Sequence, residues 1–348
     1  MGPGVGESRT WDVGRSGLTS RVGCVGLELA MSVLPFVSRL PAFAPLHPLG
    51  RGPLGEWVSL VWPLEQGPGV ARPLVVKTFL LASGLAPETR RPLEEALARA
   101  VPLRHPGIAR LHGFQVDARD TLTVVSDYVP GCSLATARRR VVGRGGRLSE
   151  AFVCHVGAEV AGALQAAHAS RVVHGDVCAH RIRVGPRGEV TLTDFGLRPA
   201  HRLLRRFTSP SRPDVVAPVA EDAGGASAEA REDLRALGRV LWELVTGRPG
   251  GPEDAGDTAA SCDVSPALRD VLRPLLRDAP VEGDAGARLQ ADLRACLERG
   301  GTCHGREDVV RELAALPGSG PLSPVELYVG AASVMTASVP VRERALKS

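Results

Sequence analysis

The stretch HGDVCAHRIRVGPRGEVTLTDFG, residues 174–196, decides how this chain reads. His174-Gly175-Asp176 closes an apolar run, and Asp194-Phe195-Gly196 closes a segment, Glu189 to Thr193, that has the composition of a strand. Eighteen residues separate the two aspartates, room for a loop and a strand hairpin that bring the second carboxylate back beside the first. Either aspartate alone is an ordinary turn residue. The two in this order and spacing predict one acidic centre.

Upstream, Trp57-Val58-Ser59-Leu60-Val61-Trp62 and Pro73-Leu74-Val75-Val76-Lys77-Thr78-Phe79 predict a hairpin of half-buried strands around the turn-like Glu65 to Gly69. Just before it, Gly50-Arg51-Gly52-Pro53-Leu54-Gly55 matches G-x-G-x-x-G, glycines whose missing Cβ lets backbone N–H groups approach phosphate. The strand follows these glycines rather than preceding them and no helix comes next, which excludes a dinucleotide-binding turn. Lys77 ends an apolar strand 22 residues after Gly55, and Glu88 to Val101 reads as a helix carrying Glu94 and Glu95. Thr121 to Val125 is a further strand, broken by Pro130-Gly131.

Beyond that break the period becomes helical. Val153, Val156, Val160 and Leu164 share a face behind a Ser149 cap, and Leu234, Leu237, Leu241 and Leu244 line a second helix, Ala230 to Val245, that stops at Gly247. Pro249 to Asp257 is a loop, and Ser265-Pro266 opens another helix. A small β-rich part followed by a larger helical part predicts an α+β protein of two lobes.

Composition narrows the class. With 44% hydrophobic residues in 348, the chain is globular, and its +4 charge comes from 42 basic and 38 acidic residues spread along the sequence, so no basic stripe points to nucleic acid. Cys24, Cys132, Cys154, Cys178, Cys262, Cys296 and Cys303 form no CxxC pair, which fits a reducing, cytoplasmic setting better than a disulfide framework or zinc site. Val22 to Val37 is interrupted by Glu28 and Pro35, and Val325 to Val339 contains Glu326, so neither predicts a membrane span. Residues 1–43 show no periodicity and are expected to be flexible.

Over roughly residues 46 to 298 these motifs, taken in order, resemble the eukaryotic-type Ser/Thr protein kinases, particularly their bacterial members. Leu103 to Gly113 resembles the link after the regulatory helix, Ser126-Asp127-Tyr128-Val129-Pro130-Gly131 the hinge, and the Asp233 helix the centre of the large lobe. The resemblance implies a kinase-like domain at 44–298, with an N-lobe at 44–129, a C-lobe at 130–298 and a C-terminal helix and tail at 299–348. It implies ATP and Mg²⁺ as cofactors, an unnamed protein substrate, Asp176 orienting the hydroxyl and Asp194 holding the metal. It further implies Lys77 on the nucleotide phosphates with Glu95 or Glu94 as its partner, Gly50, Gly52 and Gly55 covering them, and Val58, Ser126 and Asp127 about the base. His174, Phe195, Gly196 and Asp233 are then structural.

The sequence departs from the family at four places. Arg181 replaces the asparagine that binds the second metal; it has no acceptor and cannot ligate a cation, although its guanidinium suits phosphate. Cys178 replaces a lysine that steadies the transferred group, Gly175 replaces an arginine, and Ala217-Pro218-Val219 replaces A-P-E, leaving Arg288 without its usual carboxylate unless Glu221 serves. The segment Leu197 to Val216, with Arg202, Arg205 and Arg206, is expected as a solvated basic loop. Three functions stay open: an active Ser/Thr kinase, a pseudokinase scaffold or nucleotide-binding regulator, and a small-molecule phosphotransferase of the aminoglycoside or choline type.

Overall fold

The computed structural model describes residues 40–52, 54–64, 72–81, 86–143, 146–208, 225–247, 264–276, 284–299 and 305–316. The N-terminal half begins with β1 (Phe43–Arg51), β2 (Trp57–Pro63), β3 (Leu74–Leu80), α1 (Pro87–Ala100), β4 (Leu111–Val116) and β5 (Thr121–Asp127). The strands form one antiparallel sheet in the order β1-β2-β3-β5-β4. Apolar side chains on its inner face, including Leu60, Phe79 and Leu122, are fully buried, as are Leu93 and Leu97 of α1. Each such side chain contributes about 1.5–3 kcal/mol relative to exposure.

The glycine turn lies between two strands, since β1 precedes it and Gly50 pairs with Val58 of β2. Pro45 and Pro48 hide β1 in the sequence because proline cannot donate to a ladder; at the sheet edge, next to two register shifts, they are accommodated. The turn expected at Glu65 to Gly69 lies outside the described residues, as does the loop from Pro249 to Asp257.

The C-terminal half contains β6 (Cys132–Ser133), α2 (Leu134–Val142), α3 (Glu150–Ala169), β7 (Ile182–Val184), β8 (Val190–Leu192), α4 (Arg198–Thr208), α5 (Gly225–Thr246), α6 (Pro266–Leu276), α7 (Ala285–Arg299) and α8 (Arg306–Ala314). Ser149 caps α3 through its side-chain oxygen, which accepts from Phe152 N at 3.1 Å. Its buried residues Val153, Val156, Val160 and Leu164 make α3 the central helix, packed against α5 and α7. The helix α8 docks beside that cap, where Glu312 accepts from Ser149 N at 2.7 Å and Ser149 Oγ at 2.6 Å, and Val309 is fully buried.

The segment after Asp194 is not the solvated loop its arginines suggest. Residues 198–208 form α4, and Leu197, Ala200, His201 and Leu204 are buried along one helical side. Spacing at i, i+3, i+4 and i+7 makes that stripe, which the surrounding arginines obscure in the sequence. The remainder, with Ala217-Pro218-Val219 and Glu221, lies outside the described residues. Among the described residues no helix is long and apolar enough to cross a membrane.

Candidate active site

The hairpin of β7 and β8 explains how the two aspartates meet. Ile182 faces Leu192, and Thr193 N donates to Arg181 O at 2.9 Å, so the residues flanking the hairpin are held side by side. The loop before β7 is anchored from α5: the carboxylate of Asp233, 1% exposed, accepts from His174 N at 2.8 Å, Gly175 N at 2.6 Å and His168 Nε2 at 2.9 Å. Ionised acceptors on backbone N–H groups make strong hydrogen bonds. His174 bridges onward, with Nε2 2.8 Å from Thr193 O and its ring edge-on to buried Phe195 at 4.7 Å. Burial holds the His174 imidazole below its ordinary pKa, against the opposing pull of Asp233. Asp194 itself has φ of +74°, a left-handed conformation that costs free energy and is held by its surroundings.

Five side chains converge here. Lys77 Nζ lies 2.5 Å from Asp194 Oδ1. Arg181 Nη1 lies 2.7 Å from Asp176 Oδ2 and also donates to Asp176 O at 2.6 Å, while its Nε is 3.5 Å from Asp194 Oδ2. His201, reaching in from α4, has Nδ1 3.0 Å from Arg181 Nη2 and 3.2 Å from Asp176 Oδ2. Burial acts to raise the Asp194 pKa, but Lys77, His201 and Arg181 outweigh it and hold the carboxyl far below its usual range. For Arg181 burial opposes the charge, and Cys178, Asp176 and Asp194 together restore and strengthen it.

The structure brings Asp176, Asp194 and Lys77 together but not Glu95 or Glu94. Glu95 pairs with Arg91 at 2.8 Å and Glu94 with Arg90 at 2.9 Å. Leu93 and Leu97 turn inward, and a residue two positions from each points to the other side of the helix, so Glu95 faces away from Lys77. The expected lysine–glutamate brace is replaced in this conformation by the Lys77–Asp194 pair, with α4 packed against α1.

Above the cluster is a cavity of about 300 Å³ walled by Val58 and Val75, with Ser126 and Asp127 at one rim and Lys77, Arg181 and Asp194 at its base. Ser126 and Asp127 are the last residues of β5. The Asp127 carboxylate braces the rim, accepting from Arg110 N at 3.0 Å and meeting His112 Nε2 at 2.7 Å. Apolar walls over two cations are the setting a nucleotide needs.

Three residues there were not found from the sequence. Glu56 is 6% exposed, and its Oε2 accepts from Leu54 N at 2.9 Å. Its carboxylate fills the space a Cβ on Gly52 would take, so the glycine turn already holds an anion. Arg198 similarly packs where a Cβ on Gly175 would stand, and Gly175 has φ of +71°, which explains why glycine occupies that position. The only sequence signal for His201 was the stripe of α4.

Mg²⁺ demands oxygen ligands at about 2.0–2.1 Å in near-octahedral geometry. Here one Asp194 oxygen is taken by an ammonium, the other faces a guanidinium, and the usual asparagine ligand is that guanidinium's own residue. Lys77 and Arg181 already offset the charge of Asp194 and Asp176, so a divalent ion gains no net Coulomb attraction from these four groups. The residues in this arrangement do not fit the metal.

A two-lobed fold with a glycine turn, a strand lysine and paired aspartates under a cleft defines a phosphotransferase of the protein-kinase type. The chain belongs to the protein tyrosine and serine/threonine kinase family, whose model matches residues 45–255. It is similar to Aurora kinase B of Danio rerio, with 28% identity over 247 residues, 67% of this chain and 72% of the relative. It is also similar to the serine/threonine-protein kinase PrkC of Bacillus subtilis (strain 168), with 30% identity over 153 residues, 43% of this chain and 22% of the relative. The chain spans less than half the length of Aurora kinase A-A of Xenopus laevis, 47%, at 29% identity over 58% of this chain. The Mycobacterium tuberculosis PknI kinase domain shares the fold with a TM-score of 0.54 at 22% identity, covering 76% of this chain and 99% of that one.

Proposed function

We propose that the chain transfers the γ-phosphate of ATP to serine or threonine hydroxyls of a protein, in the cytoplasm. The observation that carries this is the convergence of Asp176, Asp194 and Lys77 at the base of a cleft in a protein-kinase domain. In this reading Val58 and Val75 enclose the base, Lys77 and Arg181 meet the phosphates, and Asp176 accepts the substrate proton as the hydroxyl attacks. The guanidinium and ammonium stabilise charge developing on the transferred group. His174, Phe195, Gly196 and Asp233 hold the loop that presents Asp176.

The described conformation is a closed one, because Asp176 already engages Arg181 and His201. Arg181 and His201 both lie on Asp176 Oδ2, so a substrate hydroxyl competes with them for this carboxylate. That same contact favours a second reading, a nucleotide-binding regulator that does not turn over. Labelled phosphate transfer from ATP to a generic basic protein, with Asp176→Asn as control, separates them. Transfer lost in the variant supports the kinase; ATP binding without transfer supports the regulator, and transfer to a sugar or amine alone overturns both.

A further inference from the structure

Arg181 occupies the place at which the family's second metal ligand belongs, and it does more than vacate that role. Its guanidinium donates to Asp176 on both the carboxylate and the main-chain carbonyl, and to Cys178 Sγ at 3.2 Å, while Nε is buried with no hydrogen-bond partner. Lys77 and Arg181 together balance Asp176 and Asp194, charge for charge. A divalent ion entering this centre must expel a cation. A triphosphate entering from the cavity instead finds two cations at its floor, one with a planar fork suited to phosphate oxygens.

Resting on the nucleotide site proposed above, we infer that this chain binds nucleoside triphosphate without a divalent cation, the Arg181 guanidinium with the Lys77 ammonium supplying the positive charge. Among the described residues, the other basic side chains lining the cavity are Arg183 and His180. Arg183 is committed to the carbonyls of Val129, at 2.8 Å, and Gly131. His180 is held below its ordinary pKa by burial and by Arg139 and Arg181, so it is mostly neutral at physiological pH. The lysine that the family places two residues after the catalytic aspartate is Cys178 here.

The test is calorimetric titration of the full chain with ATP, once in EDTA and once in excess Mg²⁺. The expected result is the same affinity in both, within about threefold. Arg181→Asn restores an amide oxygen; its affinity in EDTA should fall by about tenfold or more and recover with Mg²⁺. Mn²⁺ alone provides a second readout that does not depend on the variant folding as well as the parent: the parent should leave the water-proton relaxation of Mn²⁺ unenhanced. Binding of ATP by the parent only with Mg²⁺, or relaxation enhancement by Mn²⁺ alone, overturns the inference while leaving the kinase reading intact. Failure to bind ATP under either condition overturns both.

Discussion

Arg181 Nη1 donates to Asp176 Oδ2 at 2.7 Å, a pair in which the side chains are only 9% and 15% exposed. The side chain at the position of the family's second metal ligand thus neutralises the proposed proton acceptor. Removing one partner of a buried pair leaves the other charged and dry, a loss of about 3–5 kcal/mol when burial is complete. Here Lys77 remains nearby and some solvent reaches Asp176, so Arg181→Met should cost about 2–3 kcal/mol, below that range. Urea denaturation of parent and variant measures it, and an unchanged midpoint would show the pair to be inconsequential for stability.

Glu56 presents a different competition. Its carboxylate takes the Leu54 N–H and sits against Gly52, in the turn where phosphate oxygens would lie. Glu56→Gln removes the negative charge with little change in shape, so ATP should bind more tightly by about three- to tenfold, or ~0.7–1.4 kcal/mol. Titration calorimetry reads this directly. Weaker binding in the variant would mean that Glu56 supports the nucleotide site instead of opposing it.

Protons act on His201. Its ring is buried 5.9 Å from that of Phe79, with Arg181, Asp176 and Asp194 around it, and burial chiefly, then Arg181, holds its pKa below the ordinary value despite the two carboxylates. His174 is shifted in the same direction by burial. Below about pH 6.5 the unfolded chain therefore takes up protons that the native state does not, and stability falls as pH falls. It is fully present above about pH 6.5. The depressed Asp194 contributes a further loss only as pH drops below about 4, the pKa of the unfolded carboxyl. Thermal midpoints should decline from about pH 7 to pH 5, less steeply in His201→Gln. A flat profile in the parent rules out this origin.

Much of this was legible because local pattern and tertiary need coincide. The β2–β3 ladder, the Ser149 cap and the leucine face of α5 follow from period and capping, and the 18-residue interval predicted the β7–β8 hairpin that returns Asp194 to Asp176. What escaped depended on contacts between distant elements. Which face α1 buries is set by packing of Leu93 and Leu97, so a glutamate chosen by motif alone pointed outward. Glu56 and His201 carry ordinary sequence contexts and gain meaning only from Gly52 and Asp176 across the fold. Arg181 was recognised as a lost ligand, but its bridging of two carboxylates requires the loop geometry.

That loop geometry depends on Asp233, a buried carboxylate that serves it from outside. It satisfies the His174 and Gly175 N–H groups and the His168 ring at once, all within 2.6 to 2.9 Å. Asp233→Ala leaves two buried donors orphaned at about 1–3 kcal/mol each, so unfolding should become easier by about 2–4 kcal/mol after partial relaxation. Because Gly175 stands between Asp233 and Asp176, the damage should also be local. Hydrogen exchange at the Gly175 and Asp176 amides should accelerate by more than the global destabilisation alone accounts for, whereas amides of β2 and β3 follow the global change. Equal acceleration in both places would assign Asp233 to general stability and remove its special part in presenting Asp176.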